Sequence, residues 1–181
     1  YWDFVELPSQ IMENWVGEEA VLGLFAHHYE TGEVLPNVLL EKIKKSTNFR
    51  SGSNCLRQLT FGYLDMAWYG MDNQVEDVSE FEKKAIEKTK LLPDDTPNAS
   101  ISTMFSHIFA GGYSAGYYSY KWAEVLDADA FEKFKEEGIF NKETAKSFRD
   151  NILSQGNIKH PMELYKSFRG REPQLGALLK R

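Results

Sequence analysis

Phe105-Ser106-His107-Ile108-Phe109-Ala110-Gly111-Gly112-Tyr113, continuing Ser114-Ala115-Gly116-Tyr117-Tyr118-Ser119-Tyr120-Lys121-Trp122, is the stretch from which the fold is read. From Tyr113 onward it reads as helix, continuing through Val125 and Leu126. A helix brings positions i, i+4 and i+7 onto one face. Tyr113, Tyr117 and Tyr120 would therefore form a row of phenols, with Tyr118 and Trp122 making a second aromatic stripe. Gly111 and Gly112 let the backbone bend sharply or let another group approach closely, and His107 precedes that bend. A histidine and several hydroxyls beside a flexible approach suit a substrate-contacting surface. On spacing alone the plainer reading is favoured, a core helix that packs on tyrosine rings.

Outward from this stretch the chain reads as helix after helix. Asp3 to Tyr29 is predicted helical, with Pro8 in its first turn and Ile11, Trp15, Leu22 and Phe25 on its apolar side. A turn follows at Glu30-Thr31-Gly32-Glu33. Pro36 opens a helix to about Thr47, with Leu39, Leu40 and Ile43 inward. Ser53 or Asn54 is the expected cap of a third helix running to Tyr69. Ser79 starts a charged helix, Glu80 to Leu91, and Pro93 to Asn98 is a turn-rich loop. Beyond the central stretch, residues 127 to 137 continue its helix or start a new one. Further helices are predicted over Lys142 to Leu153 and from Pro161 to about Phe168. A basic loop at Arg169-Gly170-Arg171 then precedes a last helical turn or two. No alternating strand and no internal repeat is evident; Ala99 to Thr103 is β-branched enough to be extended but is no sheet. The class is all-α, a single region over residues 1–181 with no interior linker.

Composition narrows the function. With 181 residues, 42% hydrophobic and 27% charged, the chain is long enough for an ordinary globular core. A net charge of −6, without a basic stripe of interleaved aromatics, argues against nucleic-acid binding. Lys42, Lys44 and Lys45 read as a solvated helix face. No apolar run is long enough to span a bilayer. Cys55 is the single cysteine, so neither a disulfide framework nor a cysteine metal site is available; a reducing compartment is compatible, and a cytoplasmic location is expected. The aromatic opening Tyr1-Trp2-Asp3-Phe4-Val5, without a methionine or a signal, reads as the middle of a longer chain.

Few residues carry recognisable chemistry. Glu6, Gln10 and Glu13 make a polar row at i, i+4 and i+7 within an apolar segment. A carboxylate on a buried face must be paired or metal-bound. Glu6 and Glu13 are about 10 Å apart along a helix axis, so one could ligate an ion while the other orients a neighbouring ligand. The alternative, slightly favoured on the residues alone, is a reciprocal capping box from Asp3 to Glu6. His27 and His28 diverge by about 100° on a helix and suit a helix terminus better than a metal. His160 reads as surface. No HExxH, phosphate-binding glycine loop or CxxC occurs. Asp94-Asp95 and Asp127 to Asp129 read as acidic loops that lack the full calcium pattern.

Three motifs, in order, resemble one family. Asp3-Phe4-Val5-Glu6-Leu7-Pro8-Ser9-Gln10 with Met12-Glu13-Asn14-Trp15 is similar to the signature downstream of the HEFGH zinc helix in the thimet oligopeptidase and dipeptidyl carboxypeptidase family. The stretch from Phe105 to Trp122 resembles its second signature, and Phe168-Arg169-Gly170-Arg171-Glu172-Pro173 its C-terminal end. The HIF segment and the tail look nearer to the bacterial peptidyl-dipeptidases. The resemblance implies an all-α C-terminal portion of a zincin-type (gluzincin) peptidase hydrolysing oligopeptides, with release of C-terminal dipeptides. It implies that Glu6 is the third ligand of one zinc ion, Glu13 a carboxylate that orients the metal site, and His107, Tyr113, Tyr117 and Tyr120 catalytic. Three protein ligands would leave a fourth zinc position for water, whose pKa the metal lowers. Loop movement around Gly111 and Gly112 would bring the tyrosines over bound peptide. Arg169 or Arg171 could meet a substrate carboxylate, although a salt bridge is the simpler expectation.

The HExxH helix is absent from these residues, and one carboxylate cannot hold a catalytic zinc. The expectation is that this chain alone is inactive and needs the upstream part of the same protein. The rival reading is a non-catalytic helical module that binds a peptide or partner protein.

Overall fold

The computed structural model describes residues 1–93, 96 and 99–180, and among them helix is the only repeated element. The α-helices in chain order are α1 (Leu7–Glu13), α2 (Glu19–Phe25), α3 (Asn37–Thr47), α4 (Ser51–Tyr69), α5 (Val78–Ile86), α6 (Ser106–Phe109), α7 (Ser119–Glu137), α8 (Lys142–Phe148) and α9 (Pro161–Arg169). Short 3-10 turns and one π-helical turn at Arg149–Leu153 extend several of them. The only β-type pairing among the described residues is an isolated bridge between His27 and Val34. The chain is all-α, as its sequence predicts. No helix among the described residues is long and apolar enough to cross a membrane. Asp94-Asp95 lies outside the described residues, and Asp127 to Asp129, expected as an acidic loop, lie within α7 with both carboxylates buried.

Backbone contacts divide the chain into two compact units, one of Tyr1, residues 3–49 and residues 122–181, the other of Trp2 and residues 50–121. In the first unit, α1 buries Leu7 and Ile11 completely, an i, i+4 pair on one helix face. They join a core with Leu126, Phe131 and Phe134 of α7, Phe148 of α8, and Leu164, Tyr165 and Phe168 of α9. Trp15 stands edge-on to Phe131 and Phe134, with centroids 4.7 and 4.8 Å away, a favoured geometry for aromatic pairs. Its indole N–H donates to the Ile139 carbonyl at 3.1 Å. Asn14 closes α1 and donates from Nδ2 to Asp127 Oδ1 at 3.0 Å.

Local chemistry explains several helix starts. Asn141 caps α8 by accepting from the Glu143 and Thr144 amides at 2.9 and 3.2 Å. His160 Nδ1 caps α9 by accepting from the Met162 amide at 3.2 Å, followed by Pro161 at N1, where a missing N–H costs nothing. Asp77 caps α5, accepting from Ser79 and Glu80 at 2.8 and 3.0 Å. That cap, rather than Ser79, sets the start of the charged helix.

The predicted helix over Asp3 to Tyr29 is instead broken into α1, a 3-10 turn at Asn14–Gly17, and α2. Glu18 is extended, with ψ 127°, and Phe25 stays exposed. In α3 only Leu40 is buried, while Leu39 and Ile43 are exposed. Helix α4 begins at Ser51 behind Arg50, whose φ is +60°; neither Ser53 nor Asn54 caps it.

The second unit packs α4 and α5 around Leu64, Phe105, Ile108 and Tyr117. Buried Glu82 on α5 ties the segment before α6. It accepts from Ser100 Oγ at 2.8 Å, the Ile101 amide at 2.8 Å, and both the amide and Oγ of Ser102 at 2.7 Å. Burial pushes its carboxyl upward, but these hydrogen bonds outweigh burial and hold it below its ordinary value. The Ala99 to Thr103 segment is therefore a hydrogen-bonded turn region and no strand.

Candidate functional site

The central stretch departs from its predicted helix in an informative way. Helix α6 ends at Phe109, and α7 starts only at Ser119. Residues 110–118 form a folded loop. The Gly111 amide donates back to the Ser106 carbonyl at 2.9 Å, and the Tyr113 amide to the His107 carbonyl at 3.1 Å. A Cβ on Gly111 would lie 2.9 Å from His107 Cα and 3.0 Å from its carbonyl oxygen, so only glycine fits against α6. Gly112 has φ +86°, where glycine carries no steric penalty. The two glycines thus divide the expected tasks: Gly111 allows the close approach and Gly112 makes the bend.

The loop gathers the tyrosines that a helix was expected to align. Ring centroids lie 5.1 Å apart for Tyr113 and Tyr120, 5.0 Å for Tyr117 and Tyr120, and 6.5 Å for Tyr113 and Tyr117. His107 is exposed, and its ring is 6.1 Å from both Tyr113 and Tyr117. Tyr117 is buried; Tyr113 and Tyr120 are half-buried; Tyr118 is exposed. Burial, and then the Tyr120 phenol beside it, pushes the Tyr117 hydroxyl above its ordinary pKa against a weaker opposing pull from Arg57. The Tyr117 phenol, protonated at neutral pH as an ordinary tyrosine is, can donate its O–H. Four protic side chains, Tyr113 and Tyr117 in the loop with His107 on α6 and Tyr120 on α7 at its two ends, can donate to a carbonyl oxygen or to the negative charge that develops on it.

Two α4 side chains fasten the loop. Asp65, 1% exposed, accepts from the Ala115 amide through Oδ1 at 2.8 Å and from the Tyr117 amide through Oδ2 at 2.9 Å. The Tyr69 hydroxyl donates to the Ile108 carbonyl, which also accepts from Ser114 Oγ at 2.7 Å. Ala115 has φ +53°, an uncommon state for a residue with a Cβ. Asp65 was not singled out by sequence. Its signal is a carboxylate between Leu64 and Met66 in an apolar helix, which must find buried donors.

In the first unit, Glu6 is the half-buried residue immediately before α1. Its Oε2 accepts from Ser9 Oγ at 2.8 Å. The capping box expected from Asp3 to Glu6 belongs to a helix start that does not occur there, since α1 begins at Leu7. Glu13 is exposed at the far end of α1. Among the described residues no group of three or more His, Cys, Asp or Glu side chains converges to hold a metal ion. Glu6 offers one carboxylate where a catalytic zinc takes three protein ligands, so these residues by themselves do not fit the ion. His28 Nδ1 accepts from the Glu30 and Thr31 amides at 3.3 and 3.2 Å, closing the turn that follows α2.

Arg169 and Arg171 are already engaged. Arg171 grips Asp129 with both Nη atoms, at 2.9 and 2.6 Å. Asp129 is 2% exposed and also accepts from the Tyr165 hydroxyl at 2.7 Å. Arg169 forks onto Glu136 at 3.2 and 2.9 Å and donates from Nε to the Asp129 carbonyl at 3.0 Å. The hydrogen bond to Asp129 is the main influence holding the Arg171 guanidinium above its ordinary pKa. Burial, then the Asp129 hydrogen bond and charge, raises that of Tyr165. This is the salt-bridge alternative, built around a buried carboxylate.

Peptidase family M3 matches residues 1–181, and the chain belongs to that family. Oligopeptidase A of Escherichia coli (strain K12) is 51% identical over 180 residues, covering 99% of this chain and 26% of that protein. Probable cytosolic oligopeptidase A of Arabidopsis thaliana is 45% identical over 185 residues, covering 99% and 26%. Dipeptidyl carboxypeptidase of Escherichia coli (strain K12) is 36% identical over 180 residues, covering 98% and 26%. The chain spans about a quarter of the length of these curated relatives.

Proposed function

We propose that this chain is the C-terminal part of the catalytic region of a zinc-dependent peptidase acting on oligopeptides. The observation that carries the reading is the gathering of His107, Tyr113, Tyr117 and Tyr120 by one loop, in a chain that belongs to peptidase family M3. Their hydroxyl and imidazole groups hydrogen-bond the substrate carbonyl and strengthen that contact as its oxygen gains charge. An interaction stronger in the transition state than in the ground state raises turnover. Gly111, packed on α6, and Gly112, at the bend, shape the loop that meets bound peptide. Glu6 supplies one zinc ligand, and Glu13 orients the neighbourhood of that ligand. The remaining ligands come from the upstream part of the same protein. Arg169 and Arg171 hold the tail through Asp129 and Glu136 instead of meeting substrate.

Release of C-terminal dipeptides is the narrower reading. The 36% identity to dipeptidyl carboxypeptidase supports it, whereas the higher identity to oligopeptidase A supports the broader one. We infer a cytoplasmic location, in line with the name probable cytosolic oligopeptidase A of the Arabidopsis thaliana relative.

Incubating the full-length protein with a panel of oligopeptides and reading products by mass spectrometry tests this. Hydrolysis that a zinc chelator abolishes and zinc restores is expected, and the 181-residue chain alone should be inactive. Peptide binding without cleavage by the full-length protein would favour the helical binding module. Stoichiometric zinc on Glu6 with peptidase activity in the 181-residue chain would refute the dependence on the upstream part.

A further inference from the structure

We propose that Asp65 is a positioning residue for the phenol cluster, a role that rests on the peptidase reading. Its two oxygens accept separate amides, Ala115 at 2.8 Å and Tyr117 at 2.9 Å, fifty and fifty-two residues along the chain. Those amides bracket Gly116, between the bend at Gly112 and the start of α7 at Ser119. One side chain on the nineteen-residue α4 thus fixes the backbone that carries Tyr113 and Tyr117 to Tyr120.

The backbone state at Ala115 gives the carboxylate a specific task. An alanine at φ +53° is disfavoured because Cβ crowds the following carbonyl, and such states persist only where surroundings over-determine them. The Asp65 Oδ1 bond is made by the N–H of that same residue. Asp65 therefore selects the left-handed state at Ala115, and this sets where the next turn delivers the Tyr117 ring. Tyr69 and Ser114 fix the other end at the Ile108 carbonyl. The tyrosines are held in place before substrate arrives, which is how positioned donors contribute to rate.

The test is the kinetics and amide exchange of Asp65→Asn in the full-length protein. An asparagine side chain presents one acceptor oxygen and one NH2 group that only donates, so one of the two amides loses its partner at nearly constant volume. Turnover should fall by about 10- to 100-fold, the scale of a misplaced catalytic group, with KM within about threefold. Exchange should accelerate locally across residues 110–118. Adding Ala115→Gly should recover part of the lost turnover, because glycine enters the left-handed state without help; a role in core packing alone would not be rescued there. Wild-type kcat in Asp65→Asn would overturn the proposal, as would a loss that Ala115→Gly leaves untouched. If Asp65→Asn does not fold, Asp65→Glu keeps both acceptors but displaces them by one methylene. A lowered kcat is then expected, and an unchanged one overturns the role. Tyr120→Phe, run in parallel, separates the two ideas. A loss of turnover there without one at Asp65 removes only the positioning role, and no loss at Tyr120 removes the reading of the cluster and the positioning role with it.

Discussion

Replacing Arg171 by alanine distinguishes a tail clamp from a substrate anchor. Arg171 makes two charge-assisted bonds to Asp129, at 2.9 and 2.6 Å, and Asp129 is 2% exposed. Removing one partner of a buried ion pair costs about 3–5 kcal/mol, because the other charge is left uncompensated. Two features reduce that figure. The Tyr165 hydroxyl remains on Asp129 at 2.7 Å, and Arg169 Nε remains 3.7 Å away. The Arg171 side chain is also 34% exposed, so water enters where it stood. A loss of about 2–3 kcal/mol is the expected net, read as a lower melting temperature. Thermal unfolding and steady-state kinetics of the full-length protein are the assays. Arg171→Lys, which keeps the charge but not the fork, should fall between the two proteins. Arg171→Ala combined with Asp129→Asn should destabilise less than the sum of the single changes. The reasoning fails if melting is unchanged while KM rises selectively for peptides with a free C-terminal carboxylate.

Two further outcomes follow from the second unit. Gly111→Ala sets a methyl 2.9 Å from the His107 backbone; overpacking of this kind costs about 1–3 kcal/mol, and kcat should fall as the loop shifts, whereas wild-type kcat and melting would show the loop can yield. Glu82, whose folded pKa lies below its ordinary 4.5, contributes stability fully present above pH 4.5 and lost as pH falls through the folded value. The melting-temperature gap between the wild type and Glu82→Gln should accordingly narrow below about pH 4.5, and a gap constant from pH 7 to pH 3 would contradict the hydrogen-bonded carboxylate.

The sequence discloses the helical class because most of its signals are local. Pro36 before α3, Pro161 at the first position of α9 and the apolar spacing of α4 all act within a few residues. It also discloses the tyrosines as a group, though for an incomplete reason. Spacing of i, i+4 and i+7 suggested one helix face, yet Gly112 and Ala115 turn the backbone before α7 and the rings converge from a loop. That loop depends on Asp65, fifty residues away, and no local pattern announces such a partner. The break after α1 is similarly hidden: Asn14 is drawn to Asp127 and Trp15 to Ile139, so tertiary bonds end a segment whose own periodicity would continue. A salt bridge is the simpler expectation for Arg169 and Arg171, but Asp129 lies some forty residues earlier, and no local pattern names it as the partner.

The phenol cluster is the centre of the account, and kcat and KM of Tyr120→Phe in the full-length protein test it most directly. A fall in kcat with KM nearly level is predicted, since the hydroxyl would act on charge present only in the transition state. Wild-type turnover in that variant would contradict the account and return Tyr120 to a packing role.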